Sequence, residues 1–266
     1  MTHMEPETAS PPVWTARVRL GSSDVDFTRR ATSLTLCRHF LEAAWNHAEA
    51  LGVGFHALGQ HGRFWVLSRL RIEALRYPEW GSAVVLRTWP RPVQSVFAMR
   101  DFDVRDEAGG RLAAGASAWL VLEAASKRPQ RLHRVLPGIA GWDGASALGR
   151  DPEKLADEGP WDAAYSTAVR YTDIDVNQHV TSSRYLGWIL DSYPVEFHLD
   201  HEVQAIEVNY LGETLAGDEL EVRTRQLGSA VRAHSLVKVG GEEVCRARVE
   251  WRERPASHLA KCAGLS

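Results

Sequence analysis

Residues 171–180 contain three side chains that together could activate a water molecule. Asp175, Asn177 and His179 stand two positions apart along the chain. On an extended backbone, positions two apart share a face, so we expect a carboxylate, an amide and an imidazole side by side. These groups can abstract a proton and orient a polar substrate.

The segment that follows the trio is expected to contribute to the same chemistry. Residues 181–194 have the pattern of a helix, which places the trio just before a helix N-terminus. The first N–H groups of a helix lack intrahelical partners, and the helix dipole favours negative charge at that end. The sequence therefore predicts a place where an oxyanion could be stabilised.

The elements that hold this segment occur twice in the chain. Residues 18–26 resemble residues 169–175, residues 71–79 resemble residues 205–213, and residues 109–119 resemble residues 240–251. Two copies of about a hundred residues indicate duplication of a small domain, since a solenoid needs more and shorter repeats. In the first copy Thr28 and Arg30 stand where the second has Asn177 and His179, so only the second copy is expected to be catalytic.

Each copy is predicted to be one helix followed by several strands. Apolar residues recur at helical spacing from Ser33, a candidate cap, until Gly52, and again from about Ser182 to Pro194. Gly109-Gly110 and Gly240-Gly241 predict hairpin turns. The strand-like runs are residues 64–75, 83–89, 116–122, 203–210, 219–225, 231–239 and 244–251. A helix packed on an antiparallel sheet, made twice, is an α+β architecture.

The repeat and the composition of the connecting segments give the expected domain boundaries. Residues 1–12 are predicted to be a flexible tail, and residues 13–134 an N-terminal unit. Residues 135–165, which are rich in Gly, Ala, Asp and Pro, are predicted to be a linker. Residues 166–254 form the C-terminal unit, and residues 255–266 a second tail.

Composition narrows the class of protein. No apolar run has the length of a membrane span and no signal peptide opens the chain, so a cytoplasmic protein is expected. Cys37, Cys245 and Cys262 are too few and too widely spaced for a disulfide framework or a metal site, which fits a reducing compartment. Neither a metal nor a cofactor is predicted.

The distribution of charge indicates an anionic partner. Basic residues are in excess over residues 13–134 and acidic residues over residues 135–266, while the whole chain has a net charge of −3. We do not expect nucleic acid as the partner, because the chain has no nucleic-acid motif and is acidic overall. An acidic protein or a phosphate-bearing substrate fits the basic half at least as well.

Three groups of motifs resemble the signature of acyl-ACP thioesterases. They are residues 175–180 with residues 185–190, residues 71–73 with residues 76–81, and residues 117–122 before residues 127–129. The likeness extends over about residues 13–254 in the order of that family. It implies a double hotdog fold of two helix-wrapped antiparallel sheets. The implied activity is hydrolysis of a fatty acyl thioester on acyl carrier protein (ACP).

The resemblance also implies which residues are catalytic. The family's Asp, Asn and His fall on Asp175, Asn177 and His179, and its downstream Glu falls on Glu213. Where the family commonly has Cys after that Glu, this chain has Thr214, which weighs against a cysteine nucleophile. We expect His179 to act as general base, with or without Glu213, and Asp175 to orient the imidazole. The sequence leaves the division of roles between His179 and Glu213 open.

Two further sets of residues are candidates for substrate binding. Lys127, Arg128 and Arg131 form a basic loop that could contact ACP or its phosphopantetheine phosphate, although such clusters are as often simply solvated. Trp45, Trp65 and Trp89 are candidates for the wall of an acyl pocket, with ordinary core packing as the alternative.

Two alternative functions are also compatible with the sequence. An acyl-CoA thioesterase of the same fold would carry the same residues. A non-catalytic acyl-binding protein would not need the four polar residues that the second unit retains. The sequence does not decide between a monomer and a homodimer, nor does it give the length of the acyl chain.

Overall fold

A computed structural model describes the backbone of residues 5–10 and the whole of residues 13–136 and 144–255. The strands are β1 Glu5–Ser10, β2 Val13–Arg19, β3 Arg63–Ala74, β4 Ala83–Gln94, β5 Phe97–Asp106, β6 Arg111–Glu123, β7 Ala163–Ala168, β8 His201–Tyr210, β9 Glu219–Gln226, β10 Val231–Lys238 and β11 Glu243–Glu253. The α-helices are α1 Ser33–Ala50, α2 Phe55–Gly59, α3 Leu132–Val135, α4 Ser182–Asp191 and α5 Val195–Asp200.

All the described strands belong to one antiparallel sheet. Their order is β1-β2-β4-β5-β6-β3-β8-β11-β10-β9-β7, with one unit on each side of the β3–β8 pair. The predicted α+β double hotdog is confirmed, but its two sheets are continuous with each other. They join because β3 and β8 pair in register, with Ile72 opposite Ile206.

The two longer helices pack against each other on one face of this sheet. Leu36, Phe40 and Ala43 recur at helical spacing on the buried side of α1, and Leu186 and Ile189 do so on α4. The N-cap of α1 is Thr32, one residue before the predicted cap, and its hydroxyl accepts a hydrogen bond from the Thr35 amide. This shared core sets the distance between the helices and the sheet.

The second predicted helix ends earlier than expected, and an additional short helix that was not predicted follows it. α4 ends at Asp191, and α5 begins after Pro194, which is its N-cap. Proline lacks an N–H group and fixes φ, so it is accommodated where a new helix begins.

The expected N-terminal tail and linker need correction. Strand β1 lies within residues 1–12 and pairs with β2, extending the edge of the sheet. The linker is packed rather than loose, because Ala147 and Leu155 are buried on the sheet. Their amides donate to Asp101 and Asn209 at 2.6 and 2.9 Å, and β7 begins at Ala163 within the linker bounds. Residues 137–143 of the linker and residues 256–266 of the C-terminal tail lie outside the described residues.

Strand β5 was not predicted because charged residues interrupt its apolar pattern. Asp101 and Asp103 are nonetheless buried, since Arg91 pairs with Asp101 at 2.9 Å and Arg111 pairs with Asp103 at 2.7 Å. Buried carboxylates are accommodated when they are paired in this way. Tertiary ion pairs, which no local pattern reveals, therefore decide the structure of this segment.

Candidate active site

The segment with the predicted trio forms a closed loop rather than an extended strand. Ile174 and Val180 make an isolated β-bridge at its base. Inside the loop the Asp175 amide donates to the His179 carbonyl at 2.8 Å, and the Gln178 amide donates to the Asp175 carbonyl at 3.0 Å. Gln178 has a positive φ of 64°, which closes the turn. The expectation of alternating extended geometry is therefore wrong, but the three side chains still share one short loop.

Asp175 holds the backbone of this loop. Its Oδ1 accepts a 2.8 Å hydrogen bond from the Asn177 amide and a longer, 3.4 Å bond from the His179 amide. This is the local Asx geometry that aspartate favours in turns. Among the described residues, the Asp175 carboxylate forms no hydrogen bond or ion pair with the His179 imidazole, so the orienting role expected for it stays a prediction. Its visible effect is on the shape of the loop.

The loop leads directly into α4, as predicted. Thr181 is the N-cap and the helix begins at Ser182. The amide of Val180 donates to the carbonyl of Thr214 at 3.0 Å, which ties the loop to the segment after β8. Asn177 is exposed beside the helix N-terminus, where unpaired N–H groups are available.

His179 and Glu213 face each other across this junction. The imidazole Nε2 lies 3.6 Å from Glu213 Oε2, and the two side chains are 32% and 48% exposed. The pair is therefore open to substrate and to water. Glu213 was predicted only through the family resemblance, and the structure places it beside His179.

A third residue completes the cluster from the other unit. Lys127 Nζ donates to Glu213 Oε1 at 2.7 Å and lies 5.1 Å from the centre of the Phe64 ring. This hydrogen bond holds the pKa of Glu213 below its usual value against a smaller effect of burial. Glu213 is thus an anion at neutral pH. The sequence predicted Lys127 as a substrate-binding residue but gave no sign of its pairing with Glu213.

Thr214 is not placed to act as a nucleophile. Its side chain is fully buried, and its hydroxyl lies 2.9 Å from the Tyr185 hydroxyl. Nucleophilic activation requires an adjacent base, and the described neighbour is instead a tyrosine whose pKa is raised by burial.

The first copy builds the same loop without the candidate catalytic side chains. The Asp26 amide donates to the Arg30 carbonyl at 3.0 Å, and the Thr28 amide donates to Asp26 Oδ1 at 2.8 Å. Arg30, at the place of His179, is 3% exposed and pairs with Glu202 of β8 at 3.2 Å. The first loop is therefore fixed by a buried ion pair, and the second presents its imidazole.

The three predicted pocket tryptophans lie in different places. Trp65 donates to the Val53 carbonyl at 2.8 Å and packs in a small cluster with α2 and α3. Trp45 is 39% exposed and stacks on Phe55. Trp89 lies on the opposite face of the sheet, where its indole donates to the Ala145 carbonyl at 2.7 Å, so it does not share a wall with the other two.

The other two basic residues of the predicted loop lie on the surface. Arg128 and Arg131 are exposed near Lys127 and form no ion pair with any residue that the structure describes. Among the residues that the structure describes, no group of three or more His, Cys, Asp or Glu side chains could hold a metal ion. No described helix is long and apolar enough to cross a membrane.

Both units match models of known protein families. Residues 12–139 match the model of the acyl-ACP thioesterase N-terminal domain, and residues 162–253 match that of the acyl-ACP thioesterase C-terminal domain. These two ranges fall on the two units described above.

Individual relatives agree with the family models. The chain is 27% identical over 253 residues to a chloroplastic dodecanoyl-[acyl-carrier-protein] hydrolase of Cinnamomum camphora, an alignment that covers 88% of this chain and 66% of that protein. The chain thus spans just under two thirds of this relative's length. It is also 26% identical over 272 residues to oleoyl-acyl carrier protein thioesterase 1 of Arabidopsis thaliana, covering 89% and 75% of the two chains.

A solved structure has the same fold as nearly the whole of this chain. The crystal structure of an acyl-ACP thioesterase from Bacteroides thetaiotaomicron superposes with a TM-score of 0.82 at 29% identity, covering 92% of this chain and 100% of that one.

Proposed function

The chain belongs to the acyl-ACP thioesterase family, and on that premise we propose that it hydrolyses the thioester of fatty acyl-ACP to a free fatty acid and holo-ACP. The observation that carries the proposal is the cluster of His179, Glu213 and Lys127, with an imidazole 3.6 Å from a carboxylate that a lysine holds ionised. An imidazole beside a fixed anion is a suitable base at neutral pH.

The contacts support a division of roles between His179 and Glu213. Because Nε2 faces the Glu213 carboxylate, that nitrogen carries the proton in the neutral ring, which leaves the lone pair on Nδ1. Nδ1 takes a proton from water as the water oxygen attacks the thioester carbon. Glu213, with its Oε2 3.6 Å from Nε2, stabilises the imidazolium that forms.

The remaining steps use the loop and the helix end. The oxyanion that forms on the substrate lies at the N-terminus of α4, where N–H groups can donate to it. Asn177 orients the thioester carbonyl. The carbon–sulfur bond then breaks, and the phosphopantetheine thiolate takes the proton back from the imidazolium.

ACP is the proposed partner at the mouth of this site. Arg128 and Arg131 are exposed beside Lys127 without a described carboxylate partner, and such free guanidinium groups suit an acidic surface or a phosphate. A cytoplasmic location accompanies the proposal, since Cys37 and Cys245 are buried free thiols.

Matched assays test the proposal. Acyl-ACP and acyl-CoA carrying the same acyl group are compared by kcat/KM in wild-type protein and in the variant Arg128→Ala/Arg131→Ala. We expect acyl-ACP to be hydrolysed more efficiently, and the variant to lose that advantage without losing acyl-CoA hydrolysis. Equal efficiency with both substrates would support the acyl-CoA thioesterase instead. Saturable acyl binding without hydrolysis would support the non-catalytic alternative.

A further inference from the structure

The N-terminal unit buries an arginine between α1 and the sheet. Arg100 of β5 is 8% exposed. It points towards α1, because Phe102, two residues along the same strand, stacks on Phe40 of that helix with ring centres 4.5 Å apart. Arg100 Nη1 lies 2.9 Å from His47 Nδ1 and 3.2 Å from Thr88 Oγ1.

Arg100 has no carboxylate partner within 4.0 Å among the described residues, unlike the other buried arginines. Arg30, Arg71 and Arg254 are each paired with at least one carboxylate. An isolated buried cation is costly unless an anion accompanies it. Burial lowers the pKa of Arg100 to about 10, so the group is still a cation at neutral pH.

The surroundings of Arg100 supply more donors than acceptors. Both of its hydrogen bonds come from Nη1, and its Nε and Nη2 groups make none with the described residues. The indole N–H of Trp14 is buried without a partner in the described structure, and the ring lies 6.1 Å from that of His47. His47 is a neutral ring, because burial, and then Arg100, lower its pKa to about 3. The cluster can therefore accept a ligand that brings oxygen acceptors and negative charge.

The C-terminal unit provides a built-in comparison. Thr224 aligns with Thr88 in the repeat. In the C-terminal unit, His234 contacts this threonine. Its Nδ1 lies 3.1 Å from Thr224 Oγ1 and its Nε2 lies 3.0 Å from the Tyr193 hydroxyl. The polar groups of that unit satisfy one another, whereas those around Arg100 leave donors without partners.

The position of the cluster connects it with the proposed active site. Glu213 follows β8, and the sheet continues from β8 through β3 and β6 to β5, which carries Arg100. At the usual spacing between strands, β5 lies roughly 14 Å from β8. An acyl chain held at His179 and directed into the N-terminal unit under α1 would bring its far end to this cluster.

We propose that the Arg100 cluster binds a carboxylate at the distal end of the acyl chain, so that the site accepts acyl groups with a second carboxylate. The proposal rests on the proposed function for the identity of the bound chain. A guanidinium binds a carboxylate through two parallel N–H donors, and Nε and Nη2 are the pair without partners. The Trp14 indole N–H, on a ring next to that of His47, supplies a third donor.

Direct binding tests the cluster independently of catalysis. Free dicarboxylic and monocarboxylic acids, matched carbon for carbon, are titrated into wild-type protein by calorimetry. We expect the dicarboxylic acid to bind about 10- to 100-fold more tightly, as for a hydrogen bond to a charged group. Equal binding of the two acids would overturn the proposal, and so would an equal response to acetate alone, which would indicate a site for small anions.

Variants then separate recognition from folding. Arg100→Leu is expected to remove the preference for the dicarboxylic acid, and Arg100→Lys to keep part of it. A variant that weakens both acids equally would indicate a purely structural role. Turnover of a methyl-ended acyl-ACP by wild-type protein tests the proposed function separately. If this substrate is not hydrolysed, the proposed hydrolase activity is wrong, but a measured binding preference for the dicarboxylic acid still stands.

Discussion

Lys127 of the N-terminal unit donates a 2.7 Å hydrogen bond to Glu213 of the C-terminal unit. The candidate active site is therefore not contained in the unit that carries His179. The N-terminal unit lowers the pKa of the carboxylate that the imidazole faces, in addition to any part in holding the acyl chain.

Removing this lysine should change the pH dependence of the reaction. Lys127 lowers the pKa of Glu213, so Lys127→Met should raise that pKa towards its ordinary value. Activity that needs ionised Glu213 is present above its folded pKa and is lost as the pH falls through it. The Glu213 component of the acid limb of kcat/KM should thus move to higher pH in Lys127→Met and stay close to wild type in Lys127→Arg. If that component does not move, ionised Glu213 is not needed for the rate.

The two copies of the loop should respond differently to loss of their aspartates. Asp175→Ala removes the acceptor that shapes the catalytic loop, and we expect kcat/KM to fall about 100-fold, as for a misplaced reacting group. Asp26 pairs with the buried Arg254 at 3.1 Å. Asp26→Ala should therefore lower the free energy of unfolding by about 1–3 kcal/mol with little change in the activity of the folded protein. Urea denaturation and kinetics on both variants measure the contrast, and similar effects on activity would contradict it.

Thr214 should be dispensable for the chemistry. In Thr214→Val the Tyr185 hydroxyl loses its partner, at a cost of about 1–3 kcal/mol in unfolding free energy. The catalytic rate should stay within about tenfold of wild type, because water and not the hydroxyl attacks the thioester. Thr214→Ser serves as the matched control. A loss of about 10⁴-fold or more in Thr214→Val alone would identify a covalent route.

The contact between the two halves of the sheet depends on a buried charge network. Arg71 of β3 pairs with Glu207 of β8 at 2.9 Å, and the two side chains are 4% and 3% exposed. Arg71→Met leaves Glu207 buried without this partner and should destabilise the protein by about 3–5 kcal/mol. Arg76, whose side chain is 64% exposed, pairs with Asp106, and Arg76→Met should cost less than about 1 kcal/mol. Denaturant unfolding of the two variants should differ accordingly, and equal costs would contradict the assigned role of burial.

The sequence predicted most of what local pattern controls. Apolar spacing gave α1 and most strands, Gly109 and Gly241 adopt the positive φ that hairpin turns require, and the repeat predicted the matching loop of the first copy. Strand β5 was not predicted, because its buried charges are stabilised by residues that are distant in the sequence. The loop of residues 174–180 is also not extended as expected. Hydrogen bonds to Asp175 Oδ1 close a turn there, and the alternation of side chains along the sequence does not reveal them. Lys127 and Glu213 meet only through the fold, 86 positions apart.

The catalytic role of His179 is tested most directly by the kcat/KM for acyl-ACP hydrolysis of wild type, His179→Ala and His61→Ala. His61 is an exposed histidine in the N-terminal unit and controls for loss of an imidazole as such. We predict that His179→Ala loses about 10²- to 10⁴-fold, the usual contribution of a general base, while His61→Ala matches wild type. Wild-type efficiency in a folded His179→Ala protein would contradict the assignment of this loop as the catalytic centre.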